Sequence, residues 1–258
     1  MVAAADRDTK RPARMSVWLD GKAASRTRKA GADQPSGLDR DRITAATVRL
    51  LDAEGLAKFS MRRLAAELNV TAMSVYWYVD SKDDLLELAS DAVVGEVLLP
   101  DPDSGTDWRE QLRDLAEGYR GLLVRHPWLS PLVGRFLNIG PHWAAFALCV
   151  QQIVRSTGLP PHRQTGALAA VFQFVYGFGT IEGHFLQRCA EAGVSQDEYF
   201  RHAMGAVSEQ PELAPVLESG EEMVAARGGE TVEDMRDRDF DFALDILVAG
   251  IEALTPRA

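Results

Sequence analysis

The densest run of residues able to do chemistry is Ser60 to Lys82, SMRRLAAELNVTAMSVYWYVDSK, where hydroxyls, cations and aromatic rings share a short stretch. Hydroxyls and cations hold phosphate oxygens, and small apolar or hydroxyl side chains reach base edges in a DNA groove. Other chemistries are poorly served. His126, His142, His162, His184 and His202 stand 16 to 22 residues apart, so no two share a metal-ligand spacing. Cys149 and Cys189 form no CxxC pair, and there is no GxSxG, P-loop or GxGxxG. Glu182 and His184, close in sequence, would diverge by about 200 degrees on a helix. An enzyme therefore has little to stand on, no metal site is expected, and no cofactor is required.

The run needs helices to position it. Asp39 caps a first helix over about 39–54, with Leu38 placed to staple onto Ile43; Ala46, Thr47, Leu50 and Leu51 continue the apolar face and Gly55 stops it. Ser60 caps a second helix, with Met61, Leu64, Ala65 and Leu68 on one side and Arg62, Arg63 and Glu67 on the other. Asn69 tolerates the left-handed turn that ends it. Thr71 caps a short third helix, Ala72 to Tyr78, and Ser81 with Asp84 opens a fourth whose stripe is Leu85, Leu88, Ala89, Ala92, Val93 and Val97. Small Ala65, the tight turn at Asn69 and Val70, and the shared core of Leu64, Leu68, Val70 and Val75 make a helix-turn-helix, whose second helix enters the major groove.

Charge is distributed to match. The net charge of −10 excludes a surface that binds nucleic acid everywhere. Yet residues 1–37 carry a net +4, residues 38–100 a net −4 and residues 101–258 a net −10. Lys10, Arg11, Arg14, Lys22, Arg26, Arg28 and Lys29 lie among Ala, Gly, Ser and Pro without periodicity, so residues 1–37 read as a flexible basic arm, and an arm of this kind suits phosphate contact. Within it Met15 to Leu19 is an apolar island whose Trp18 could dock on the folded body. With 46% apolar and 26% charged residues the chain can bury a sizeable core, and two cysteines without an apolar leader suggest a reducing cytoplasm.

Beyond a loop at DPDSGT the pattern stays helical. Trp108, Leu112, Leu115, Tyr119 and Leu122 make one stripe; Pro141 and Pro161 open helices that Gly158 and Gly193 close; Ser195 with Glu198 and Thr231 with Asp234 form capping boxes. Phe240, Leu244, Leu247, Ile251 and Leu254 share the last helical face, which Ile246 and Ala249 widen. Residues 136–154 and 164–181 lack charge, but their Asn, Gln, His, Pro and Gly content argues against membrane spans. A helix apolar nearly all round, 164–186, needs cover on every side, and a second copy of the chain would supply it. No strand-like alternation appears, so the expected class is all-α: an N-terminal three-helix helix-turn-helix domain, a linker helix and a larger helical domain. The expected domains are 1–37, 38–100 and 101–258.

The motifs R-x-x-I-x-A-A and LL-D-x-x-G (Arg40 to Gly55), S-M-R-R-L-A-A-E-L-N-V (Ser60 to Val70) and V-Y-W-Y-V followed by S-K-D-D-L-L (Val75 to Leu86) resemble the TetR (tetracycline-repressor-like) family of transcriptional regulators over about 60 residues. The resemblance implies that Ser60 and Arg62 lie near phosphates. It puts Thr71, Ala72, Met73, Ser74, Tyr76 and Tyr78 along the groove-facing side, has Lys82 clamp the backbone, and leaves Trp77 packing rather than reading. A base-reading face poor in Arg, Asn and Gln would rely in good part on DNA shape.

For the second domain the resemblance implies effector binding and dimerisation through segments near 161–190 and 231–254. Trp128, Phe136, Trp143, Phe146, Phe172, Phe174, Tyr176 and Phe178 could line a pocket with His142, Gln151, Gln173 and His184 as polar anchors, although any one of them is more ordinarily a core residue. Tetracycline-binding members use metal-assisting histidines where this chain is apolar, around Val97 and Val133, which implies a different ligand. The expected function is a homodimeric, ligand-responsive repressor bound to a double-stranded DNA operator and released by a small apolar or aromatic ligand. The competing reading is a helical ligand-binding or scaffold protein that no longer binds DNA.

Overall fold

A computed structural model of the chain describes residues 16–19, 37–101 and 104–256; Met15 and the basic residues between Lys10 and Lys29 lie outside the described residues. Among the described residues the elements are α1 (Arg40–Lys58), α2 (Met61–Glu67), α3 (Ala72–Tyr76), α4 (Lys82–Val94), α5 (Trp108–Arg125), α6 (Ser130–Val133), α7 (Pro141–Ser156), α8 (Pro161–Ala192), α9 (Gln196–Ser208), α10 (Ala214–Arg227) and α11 (Val232–Leu254). No strand occurs among them, as expected for an all-α chain. Two units emerge: the described residues up to Gly95 together with Pro131–Ala144, and Glu96–Ser130 together with Ala145–Ala258. The return of Pro131–Ala144 to the first unit has no local signature in the sequence.

In the first unit each helix start is fixed by a side chain that accepts from an otherwise unpaired amide. Asp39 accepts from Arg42 N, Ser60 from Arg63 N, Thr71 from Ser74 N and Ser81 from Asp84 N. Ile43, Ala46, Leu50 and Leu51 bury one face of α1, and Gly55, at φ 75°, interrupts the helix before Phe59. Asn69 takes φ 54°, and Val70 N donates to Ala65 O across the turn at 2.9 Å. Leu64 and Val75 are fully enclosed.

Helix α4 departs from the single stripe expected of it, because every residue from Asp84 to Asp91 is buried. Its polar side is covered by Ser16–Leu19 and by Pro131–Ala144. Buried carboxylates require donors, and each one here has them. Asp84 accepts from Asp80 N and Ser81 Oγ, Glu87 from Ser16 Oγ and Val17 N, and Asp91 from His142 N and Trp143 N. Ser90 Oγ accepts from the Trp143 indole at 3.1 Å. Gly140 leaves the space that the Asp91 carboxylate enters, since a Cβ there would collide with it. Asp91 thus does for α7 what a local cap does elsewhere.

In the second unit α5 lies against α8. Gly179 and Gly183 permit the approach, for a Cβ on Gly183 would meet Leu123 O at 3.0 Å. Leu112, Leu115, Leu122, Leu123, Val171, Val175, Phe240, Leu244 and Val248 fill the core. Inside it Arg120 donates to both Glu182 oxygens, at 2.7 and 3.0 Å, and pairs with Asp237 at 2.8 Å. Its guanidinium stands 5.1 and 4.7 Å from the Phe178 and Phe240 ring centres. Burial opposes the Arg120 charge, but the hydrogen bonds and fields of Glu182 and Asp237 outweigh it and raise its pKa. Helix α11 opens with a full capping box, Thr231 and Asp234, and Asp197 accepts from Val232 N at 2.7 Å to tie α9 beside it.

Candidate nucleic-acid interface and effector site

The turn between α2 and α3 presents its hydroxyls together. Ser60 and Thr71 are exposed caps, and Thr71 Oγ1 lies 2.9 Å from Ser74 Oγ. Arg62 is exposed and makes no ion pair among the described residues, whereas Arg63 is occupied by Glu54 at 2.6 Å. Met73 is 69% and Tyr76 42% exposed although nothing in a water-facing helix calls for such side chains. Trp77 departs from the expectation that it packs: it is 72% exposed, because the buried slot of this turn is already filled by Val75 and Val79. Ala72 and Ser74 are half-buried beneath these exposed side chains.

Two residues of the expected set are already engaged within the chain. Tyr78 lies past the end of α3 and donates its hydroxyl to Leu38 O at 2.5 Å, bracing the start of α1. Burial, then the nearby Asp39 charge, raises the Tyr78 pKa, so it stays a neutral donor. Lys82 donates to Phe59 O at 2.8 Å, with its ammonium 5.4 Å from the Phe59 ring centre. It places its positive charge at the turn that precedes Ser60, a short way from the exposed Arg62.

The candidate effector residues divide between the units. In the second, Phe146 and Phe172 form an aromatic triangle with Tyr119, with centroid separations of 5.4, 6.1 and 5.7 Å. Tyr119 is 4% exposed, and its hydroxyl takes no hydrogen bond among the described residues. Burial, then the neighbouring Tyr176, pushes its pKa well above the ordinary phenol value, so it remains protonated and able to donate. The sequence shows Tyr119 only as one member of a helical stripe; its aromatic neighbours lie far along the chain.

Tyr176 donates to Ser130 O at 2.9 Å, and Ser130 Oγ lies 2.9 Å from Thr180 Oγ1. Trp128 is buried beside His126, whose Nε2 lies 3.1 Å from Glu96. Gln151, Gln173 and His184 have exposed side chains. In the first unit Trp143 is bonded to Ser90 and His142 to Asp91, and Phe136 shares a small cavity with Trp143. Among the polar anchors expected from sequence, none joins the triangle; Tyr119 does.

The helix-turn-helix region, residues 43–89, matches the family model for bacterial regulatory proteins of the tetR family, and residues 99–255 match that of the tetracyclin repressor-like C-terminal domain. The chain belongs to the TetR family. TetR-family proteins are DNA-binding regulators of transcription, most often ligand-responsive, and not enzymes. An HTH-type transcriptional regulator of Saccharopolyspora erythraea is 33% identical over 98% of this chain and 98% of its own. The HTH-type transcriptional repressor DrrR1 of Streptomyces coeruleorubidus is 32% identical over 92% of this chain and 84% of its own. Among solved structures, the TetR-family protein ActR of Streptomyces coelicolor in complex with actinorhodin superposes with a TM-score of 0.65 at 28% identity, covering 85% of this chain and 99% of ActR. No helix among the described residues is long and apolar enough to cross a membrane.

Proposed function

We propose that the chain is a homodimeric repressor in the cytoplasm that binds a palindromic operator and leaves it when a small apolar or aromatic effector binds. Residues 38–100 then serve as DNA-binding domain and linker helix, residues 101–258 as effector-binding and dimerisation domain, and residues 1–37 as a basic arm. The observation that carries the reading is the exposed face of α3 and its flanks, where Met73, Tyr76 and Trp77 stand in water among Ser60, Arg62, Thr71 and Ser74. Apolar and hydroxyl groups on such a helix match thymine methyls and base edges, while Arg62 and the caps match phosphates.

Dimerisation is supported by a second exposed surface. On α8 and α11, Ile181, Phe242, Ile246 and Leu254 are uncovered, and a groove of about 480 Å³ runs between them past Gly166, Ala170 and Gly250. A second copy would cover it and set two recognition helices about 34–36 Å apart, one DNA turn. The aromatic triangle supports an aromatic effector, and actinorhodin, the ligand of ActR, is the natural first probe.

The deciding experiment is selection from a random double-stranded DNA pool at about 100 mM salt, where phosphate contacts do not swamp base readout. A palindrome with half-sites about one turn apart is the expected outcome. A well-folded dimer with no salt-dependent retention on DNA would sink the reading in favour of a ligand-binding protein that has left DNA.

A further inference from the structure

Glu87 on α4 is a nearly buried carboxylate whose partners are Ser16 Oγ at 2.6 Å and Val17 N at 3.0 Å, from a segment about 70 residues earlier. The segment is one tight turn. Leu19 N donates to Ser16 O and Trp18 N to Ser16 Oγ, Val17 is 3% exposed, and the Trp18 ring lies 5.8 Å from the Arg40 guanidinium at the start of α1. Packing alone would be served by Leu or Val at position 87. A buried carboxylate contributes little net stability but demands donors at defined places, so it selects one docked geometry and releases it without dismantling a core.

Glu87 does not act alone. Ser90 and Asp91, within one turn of it, hold Trp143 and His142 at the start of α7, and Phe146 of the aromatic triangle follows one turn later on that helix. Trp18, Glu87, Ser90 and Trp143 border a common cavity of about 10 Å³, room for one water. A shift of the first turn of α7 therefore pulls on the face of α4 that grips residues 16–19.

We propose that Ser16–Leu19 form an intramolecular clip that fixes linker helix α4 against α1, holding the first unit in its operator-binding geometry, and that effector binding loosens the clip through α7. The functional half of this proposal rests on the reading of the chain as an effector-released DNA binder.

The test uses the full-length protein with Glu87→Ala, Glu87→Gln, Ser16→Ala and the Ser16→Ala/Glu87→Ala pair. Hydrogen exchange of a peptide covering residues 16–19 reports docking, and affinity for the selected operator, measured across salt concentrations, reports function. Glu87→Ala should erase protection at Val17 and weaken operator binding by about tenfold, the usual weight of hydrogen bonds to a charged group, with the salt dependence unchanged. The pair should cost less than the sum of the two single changes, since both remove the Ser16–Glu87 bond, although Ser16→Ala also removes the bond from Trp18 N. Glu87→Gln, which keeps an acceptor, should restore most of both readouts, and actinorhodin, if it releases operator, should lower Val17 protection in the wild type.

Lost protection with unchanged operator affinity would overturn the clip's role, and a weaker salt dependence in Glu87→Ala would overturn it in favour of direct phosphate contact by the segment. A wild type that binds no operator would instead overturn the functional reading, while the exchange comparison would still decide whether Glu87 holds the segment. A thermal melt of each variant separates these outcomes from misfolding.

Discussion

Two of the surfaces that expose large apolar side chains are built differently. Around α3, Met73, Tyr76 and Trp77 are interleaved with Ser60, Arg62, Thr71 and Ser74 on a helix of 5 residues whose backbone start is capped. On α8 and α11, Ile181, Phe242, Ile246 and Leu254 line two long helices beside Gly166, Ala170 and Gly250, where nothing lies within 4 Å of a Cβ added to either glycine. The first surface mixes hydrogen-bonding and apolar groups, as a partner with charged edges and methyl groups requires. The second is mostly apolar, with Arg163 the one charged residue among the described residues lining its groove, and stepped by small residues, as a partner of the same chemistry requires. An exposed apolar residue is therefore informative only together with its polar neighbours.

The contrast can be broken most forcefully at the apolar surface. If that face is the proposed dimer interface, Ile246→Lys would bury an unpaired charge in it, so the protein should sediment as a monomer and lose operator affinity by about a hundredfold or more; a dimer with normal affinity would show that this face is not the interface. At the mixed surface Arg62→Ala should weaken operator binding by about tenfold and reduce the salt slope by about 1, leaving the melting temperature in place. Trp77→Ala sharpens the same point, because a side chain that is 72% exposed should cost less than about 0.5 kcal/mol of stability in a denaturant titration.

Inside the second unit, Tyr119→Phe removes a hydroxyl that makes no hydrogen bond among the described residues. Stability should hold or rise slightly, and the concentration of actinorhodin giving half-release should increase about tenfold if the hydroxyl meets the ligand. The smallest effect belongs to a helix cap. The Asp234 carboxyl is held below the ordinary carboxylate range, chiefly by the Thr231 hydroxyl and amide. A depressed folded-state pKa adds stability above the ordinary value of 3.8 and loses it as pH falls through the folded value. Asp234→Asn should accordingly melt slightly earlier than wild type at pH 7, with the difference shrinking as the pH falls below 3.8.

What the sequence discloses follows from range. Ser60, Thr71, Ser81, Ser195 and Thr231 are legible as caps because each acts on an amide three residues away, and Asn69 is legible because its left-handed turn is a local necessity. Asp91 as the cap of α7 is not legible, since its partners lie 51 and 52 residues further on. The same holds for Glu87 and Ser16, and for Tyr119 with Phe146 and Phe172. The exposure of Trp77 was hidden for another reason: aromatic residues usually pack, and only the prior claims of Val75 and Val79 on the available space exclude it.

The Arg120 cluster constrains how α5, α8 and α11 align along their lengths. Apolar stripes repeat, so an apolar interface alone tolerates a slip of one turn, about 5.4 Å. Arg120 grips Glu182 from one helix and Asp237 from another beside two neighbouring phenyl rings. Sliding α8 by a turn takes buried Glu182 away from its guanidinium, a penalty of about 3–5 kcal/mol that no shifted hydrophobic contact recovers, whereas sliding α11 breaks only the pair with half-exposed Asp237. A single guanidinium thus acts as a registration pin chiefly between α5 and α8, and the surface that α8 offers outward keeps its alignment because of a residue whose side chain is only 12% exposed.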